Sequence, residues 1–151
     1  MPLTYTSGDP FLTKQQTLGV GYNARARTET SPLAMELLRR YPTAFAACNK
    51  QIERGRLKTG DLWLWRESAP VLAFMIVRES SVGATRPRYV DAVALRIVRD
   101  YQLEGITNLA IAPLGRVEEQ PAIREALDLL LPNCPLPVIA YERYLPGVQS
   151  E

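Results

Sequence analysis

The side chains able to do chemistry form a short set, and histidine is not in it. Its absence removes Ser–His triads, Cys–His dyads, imidazole bases and His-ligated metals together. What remains is carboxylate, amide, guanidinium, phenol and thiol. Asp9 follows Ser7-Gly8 and precedes Pro10, a turn by composition, where its carboxylate can accept hydrogen bonds from a ligand or brace its own turn. Asn23 both donates and accepts, so it can orient hydroxyls or cap a strand end. Arg25, Arg27 and Arg116 sit in polar stretches. Each guanidinium can fork onto an oxyanion or be solvated. Arg78 can clamp an anion, but it stays protonated and is a poor nucleophile. Glu118 and Glu119 can act as acid or base only in a dry site, and paired glutamates are more usually solvated. Tyr141 can lay its ring on a flat ligand or on the core. Cys48 and Cys134 fit no metal spacing and are too few for a disulfide framework. They read as buried, inert thiols of a reducing compartment.

The elements that must position these residues alternate between strand and helix. Leu3–Thr6 predicts a strand running into the Ser7–Pro10 turn. Thr17–Tyr22 predicts a second, whose Gly19 and Gly21 imply close approach by another group. Arg25–Ser31 is a polar loop without glycine. Ser31-Pro32 then caps a helix through Leu33, Leu37 and Leu38. Thr43–Arg54 predicts a second helix closed by Gly55. Asp61–Arg66 is a strand, with Trp63 and Trp65 shared between core and rim rather than forming a base-stacking platform. Val71–Val77 is a buried strand. Glu79–Thr85 is a loop. The periodic residues from Val90 to Tyr101 form a helix ended by Gly105. Leu109–Ala112 is a short strand, Ala122–Leu131 a helix, and Val138–Tyr141 a last strand. This alternation predicts one α/β domain over residues 1–151, with a mixed, mainly parallel sheet covered on both faces. Ligands of such sheets bind beyond the carboxyl ends of the strands, here after Tyr22, Val77, Ala112 and Tyr141.

Composition narrows the classes further. The 151 residues are 46 % hydrophobic with a net charge of +2. That charge is too small to define a nucleic-acid binder by itself. Arg39, Arg40, Arg54, Arg56 and Lys58 are a scattered basic set. They suit a solvated helix face and, equally, the docking of a nucleic-acid-linked substrate. No membrane-spanning run or signal-peptide pattern is present, so a cytoplasmic location is expected, with no membrane partner. No cofactor or metal is expected.

Five motifs in order resemble the macro domain family. Thr6-Ser7-Gly8-Asp9 resembles its strand-end "GD" element, and Tyr22-Asn23-Ala24 its Asn-bearing strand end. Leu37–Pro42 with Phe45, then Gly55-Arg56-Leu57-Lys58-Thr59-Gly60-Asp61-Leu62, is similar to the "YP…G.LK.GD" run. Gly105–Gly115 resembles "GITSIAIPPLG", and Val138–Glu142 the final "VYVYE" strand. The similarity covers about residues 3–144. Within the family it is nearest the DNA ADP-ribosyl glycohydrolase antitoxins and the terminal ADP-ribose protein glycohydrolase, whose helix entry Arg86-Pro87-Arg88-Tyr89 also resembles.

The resemblance implies a three-layer α/β/α fold and a site for ADP-ribose or an ADP-ribosylated macromolecule. Asp9 and Pro10 would meet adenine, Asn23 a ribose, and Tyr141 the adenine or ribose face. Arg25, Arg27, Leu114, Gly115 and Arg116 would line the phosphates. The departures bear on function. Both phosphate loops of the family are glycine-rich. Here they read Arg25-Ala26-Arg27-Thr28-Glu29-Thr30-Ser31 and Gly115-Arg116-Val117-Glu118-Glu119-Gln120. Glycines let backbone N–H groups approach a pyrophosphate. Without them arginine side chains would have to supply the charge. The branch's catalytic lysine falls nearest to Arg78. The expectation is therefore a module that binds ADP-ribose or a related nucleotide with little or no turnover. The alternatives are an ADP-ribosyl glycohydrolase, with Arg78, Glu118 and Glu119 as the candidate catalytic groups, and a pocket-less interaction protein.

Overall fold

The computed structural model describes residues 2–151. Six strands form one sheet: β1 (Leu3–Gly8), β2 (Thr17–Asn23), β3 (Leu62–Trp65), β4 (Val71–Arg78), β5 (Leu109–Ile111) and β6 (Val138–Tyr144). Their spatial order is β1-β6-β5-β2-β4-β3. Every neighbouring pair is parallel except β3 against β4. Helices α1 (Pro32–Arg40), α2 (Pro42–Glu53), α3 (Pro87–Asp100) and α4 (Gln120–Leu130) complete the chain. The α/β/α class read from the sequence is the class observed.

Alternation along β4 shows how the sequence builds two cores. Leu72, Phe74 and Ile76 face α1 and α2, while Ala73, Met75 and Val77 face α3 and α4. All six are essentially without solvent exposure, which explains a continuous apolar run. On the α1/α2 side Phe74 meets Phe45 at 5.0 Å and Tyr22 at 6.2 Å between ring centroids, both edge to face. Trp63 packs on Phe74 at 5.8 Å, so the tryptophans serve the core and its rim.

Local signals set the element ends. The Ser31 hydroxyl accepts from Ala34 N at 3.1 Å and so caps α1, with Pro32 at its first turn. Gly55 and Gly105 close α2 and the turn after α3 with positive φ. Two strands run two or more residues further than their sequence suggests. β1 continues through Ser7-Gly8, and β6 continues three residues past Tyr141, because the two pair with each other beyond an irregularity between Thr6 and Ser7. Tyr141 is therefore an inner residue of β6 rather than its end, and its ring lies in the α1/α2 core.

The sheet order creates one reversal of direction. From β2 the chain moves by α1 and α2 toward β3 and β4; from β5 it moves by α4 toward β6. The crevice beyond β2 and β5 is the topological switch point.

Removing the Phe74 ring should destabilise the fold by roughly 3–5 kcal/mol, because three aromatic neighbours cannot collapse into the void. Urea unfolding of Phe74→Ala measures this, and a loss under about 1 kcal/mol would contradict the packing. Burial also pushes the Cys48 thiol up to about 12. Tyr22 is pushed to about 12 by burial, then by Cys48 and Glu29 beside it. Both folded groups thus hold their protons above the pH where the unfolded chain releases them. Stability should fall as pH rises from about 9 toward 12. Unfolding midpoints across that range test the sign, and Cys48→Ala should flatten the slope.

Candidate functional site

Beyond the ends of β2, β4 and β5, two loops face each other: residues 24–31 after β2 and 112–116 after β5. The first is built by Asn23, whose side chain is fully buried. Asn23 Oδ1 accepts from Arg25 N at 3.1 Å and Arg27 N at 3.2 Å, and Nδ2 donates to Arg27 O at 2.8 Å. The backbone N–H groups that a glycine-rich loop would turn toward an anion are turned here onto the chain's own amide. Ala26 takes φ 58, the left-handed region that glycine would occupy without strain. The guanidinium-bearing residues Arg25 and Arg27 are exposed, as is Arg116 on the opposite loop.

Arg78, the last residue of β4, spans the gap between the loops. Nη2 donates to Glu29 Oε1 at 2.8 Å and Nε to Glu29 Oε2 at 3.3 Å. Nη1 donates to Thr85 Oγ1 at 2.8 Å and to Leu114 O at 2.7 Å. Asn23 Nδ2 adds a bond to Glu29 Oε2 at 2.9 Å. The Arg78 and Glu29 side chains are only 11 % and 12 % exposed, so the pair is substantially desolvated. Deleting one partner of such a pair typically costs roughly 3–5 kcal/mol, because the other is left uncompensated. Gly21 makes room for the guanidinium: a Cβ there would lie 3.2 Å from Arg78 Nη2 and 3.3 Å from Leu114 Cδ2. This is the close approach that the glycine predicted.

Glu119 ties the second loop. Its carboxylate accepts from Thr85 N at 2.9 Å and from Arg116 N at 2.8 Å. Gly115 is packed so closely that a Cβ would meet Glu119 Oε1 at 2.7 Å. Glu118 is exposed and points no carboxylate into a dry site. The cavity nearest the crevice measures about 40 Å³ and is lined by Gly21, Tyr22, Glu29, Leu37, Phe45 and Asn49 among others. That volume admits water but is far below the roughly 300 Å³ of a nucleotide-sized pocket.

Asp9 and Pro10, just past β1, and Tyr141, within β6, lie at the other end, where Asp9 and Tyr141 are bonded by residues of the 145–151 segment. Asp9 Oδ1 accepts from Phe11 N at 2.9 Å and braces the 3-10 turn Pro10–Leu12. Oδ2 accepts from Gly147 N at 2.8 Å, and Asp9 N donates to Val148 O at 2.7 Å. Gly8 permits this crossing, since a Cβ would lie 2.6 Å from Ser150 Oγ. The Tyr141 hydroxyl donates to the Glu151 carboxylate. Burial, and then that carboxylate, push its phenol up to about 12. Glu151 also accepts from Gln15 Nε2 at 2.9 Å.

The predicted residues therefore form two clusters rather than one open groove. Sequence reasoning missed Glu29, Thr85 and the 145–151 segment. Glu29 was legible only as one polar residue of a loop, because its partner lies 49 positions away. The basic set also resolves. Arg39 and Arg40 both pair with Glu36, and Arg40 stacks on Phe11 at 4.2 Å, while Arg54, Arg56 and Lys58 are exposed. Both cysteines are buried. Among the described residues, no helix is long and apolar enough to cross a membrane, and no acidic or thiol cluster is arranged to hold a metal.

Asp9→Ala should free the 145–151 segment, with a loss of about 1–3 kcal/mol from the two stranded N–H donors. Hydrogen exchange at the Gly147 amide should accelerate well beyond the change in global stability. Unchanged protection would mean that Asp9 does not hold the segment.

Solved structures carry this same architecture. The macrodomain of Thermus aquaticus DarG matches with a TM-score of 0.73 and 21 % identity over 95 % of this chain and 98 % of that one. Thermosipho africanus DarTG, solved in complex with ADP-ribose, matches with 0.83 and 19 % identity over 99 % of this chain and 43 % of that one. The macrodomain of Mycobacterium tuberculosis DarG matches with 0.72 and 21 % identity over 96 % and 98 %. No protein-family model and no curated protein matches the sequence.

Proposed function

We propose, starting from the macrodomain fold that this chain has, that it is a non-catalytic macrodomain whose nucleotide crevice is closed by its own side chains in the resting state. The observation that carries this reading is the Arg78 guanidinium. Four of its N–H bonds are spent within the chain, on Glu29, Thr85 and Leu114. A guanidinium is neither a nucleophile nor a base. The adenine end supports the same reading, since both Asp9 oxygens are engaged by backbone N–H groups. What the chain offers to a partner is then the outer face of the loops, with the exposed Arg25, Arg27 and Arg116.

A second reading is ADP-ribose binding without turnover after the loops part. The fold likeness to a protein solved with ADP-ribose favours it, as does the strained Ala26 in the loop that would move. Hydrolysis of an ADP-ribosyl linkage is the least supported, because Arg78 is consumed, Glu119 is engaged by two N–H groups and Glu118 is exposed.

Calorimetric titration with ADP-ribose should give no binding heat, and incubation with ADP-ribosylated DNA or protein should release no ADP-ribose. Saturable heat without release would replace the closed-crevice reading with the second one. Release would establish a hydrolase and overturn both.

A further inference from the structure

We propose that the Glu29 carboxylate occupies an oxyanion-binding site, and that this site takes a phosphate or carboxylate group from a small ligand when Glu29 swings out. The inference deepens the closed-crevice reading and rests on it. Three N–H donors converge on Glu29: Arg78 Nη2 at 2.8 Å, Arg78 Nε at 3.3 Å and Asn23 Nδ2 at 2.9 Å. The two from Arg78 grip both carboxylate oxygens, the forked geometry that suits carboxylate and phosphate alike. Asn23 is fully buried and the Arg78 side chain is 11 % exposed, so an anion here is bound with little competition from water.

The donors are positioned independently of Glu29. Arg78 is anchored from behind by Thr85 Oγ1 and Leu114 O through Nη1, and it leaves the end of a buried strand. Asn23 is fixed by Arg25 N and Arg27 N on its other atom. Removing the carboxylate would therefore leave a preformed fork rather than a collapsed one. Glu29 is the partner whose displacement would leave every strand and helix intact. It belongs to no helix or strand and lies between the exposed Thr28 and Thr30. The 40 Å³ cavity abuts it, walled by Tyr22, Leu37, Leu38 and Phe45, with Asn49 as a polar end. Displacement of the Glu29 side chain would join that space to the anion position and admit the body of a small ligand.

The test is chemical rescue of Glu29→Ala. In sodium chloride the variant should unfold at a clearly lower temperature than the parent, since Arg78 has lost its counter-charge. Sodium phosphate or sodium formate at matched ionic strength should recover about half or more of that loss, saturably, through linkage of binding to folding. The parent should gain little, because its site is filled. In the double variant Glu29→Ala, Arg78→Met the specific gain should vanish. If Glu29→Ala does not fold in chloride, its refolding yield in phosphate against chloride serves as the readout. Equal gains in the parent, single and double variants would overturn the site. So would a single variant that loses stability and recovers none of it with either anion. Neither outcome bears on the ADP-ribose titration of the parent, so the two readings fail separately.

Discussion

A permanent charge at the end of a buried strand governs the crevice. Arg78 brings a guanidinium to a position where it is 11 % exposed, and such a group cannot shed its proton to escape desolvation. Its surroundings must answer it with acceptors. Glu29, Thr85 Oγ1 and the Leu114 carbonyl supply them, from the loop after β2, the loop before α3 and the loop after β5. Three separate connections are thus drawn to one point, and the crevice at the topological switch closes as a consequence of satisfying Arg78.

The glycine content of the loops follows from the same geometry. A glycine-rich loop keeps its N–H groups free for an external anion. In this chain the anion is internal, and the loop N–H groups of Arg25 and Arg27 are satisfied by Asn23 although Ala26 between them takes a left-handed φ. Three glycines beside the crevice and under the C-terminal segment stand where a side chain would collide. Gly21 clears the path of Arg78, Gly115 the contact with Glu119, and Gly8 the passage of Ser150. These glycines admit the chain's own atoms.

The scaffold was readable in the sequence because its signals are local. The apolar run of β4, the Ser31-Pro32 cap and Gly55 each act within a few residues. The six strands and four helices followed, with ends displaced where pairing decided the length, as in β1 and β6. The site was readable only as a set of residues. Asn23 was found at its strand end, yet its partner in the crevice, Glu29, was not singled out. Asp9 was found as well, but the bond from Gly147 depends on a contact across 138 positions that no local pattern encodes. Strand-end rules locate a crevice; they do not say whether long-range side-chain contacts fill it.

Arg78 and Glu29 are best understood as one unit. A lysine at the end of β4 can adjust to burial by losing its proton, so it can stand in an open or a dry crevice without a fixed counter-ion. An arginine cannot, and it therefore requires a carboxylate or a bound anion at that point. Replacing Arg78 by lysine alone would not open the site, because Glu29 would still pair with the ammonium and keep its bond from Asn23. Removing Glu29 alone would open the space but leave a charge seeking an anion. The closed state is a joint property of the two residues, so any functional change at this crevice has to pass through both.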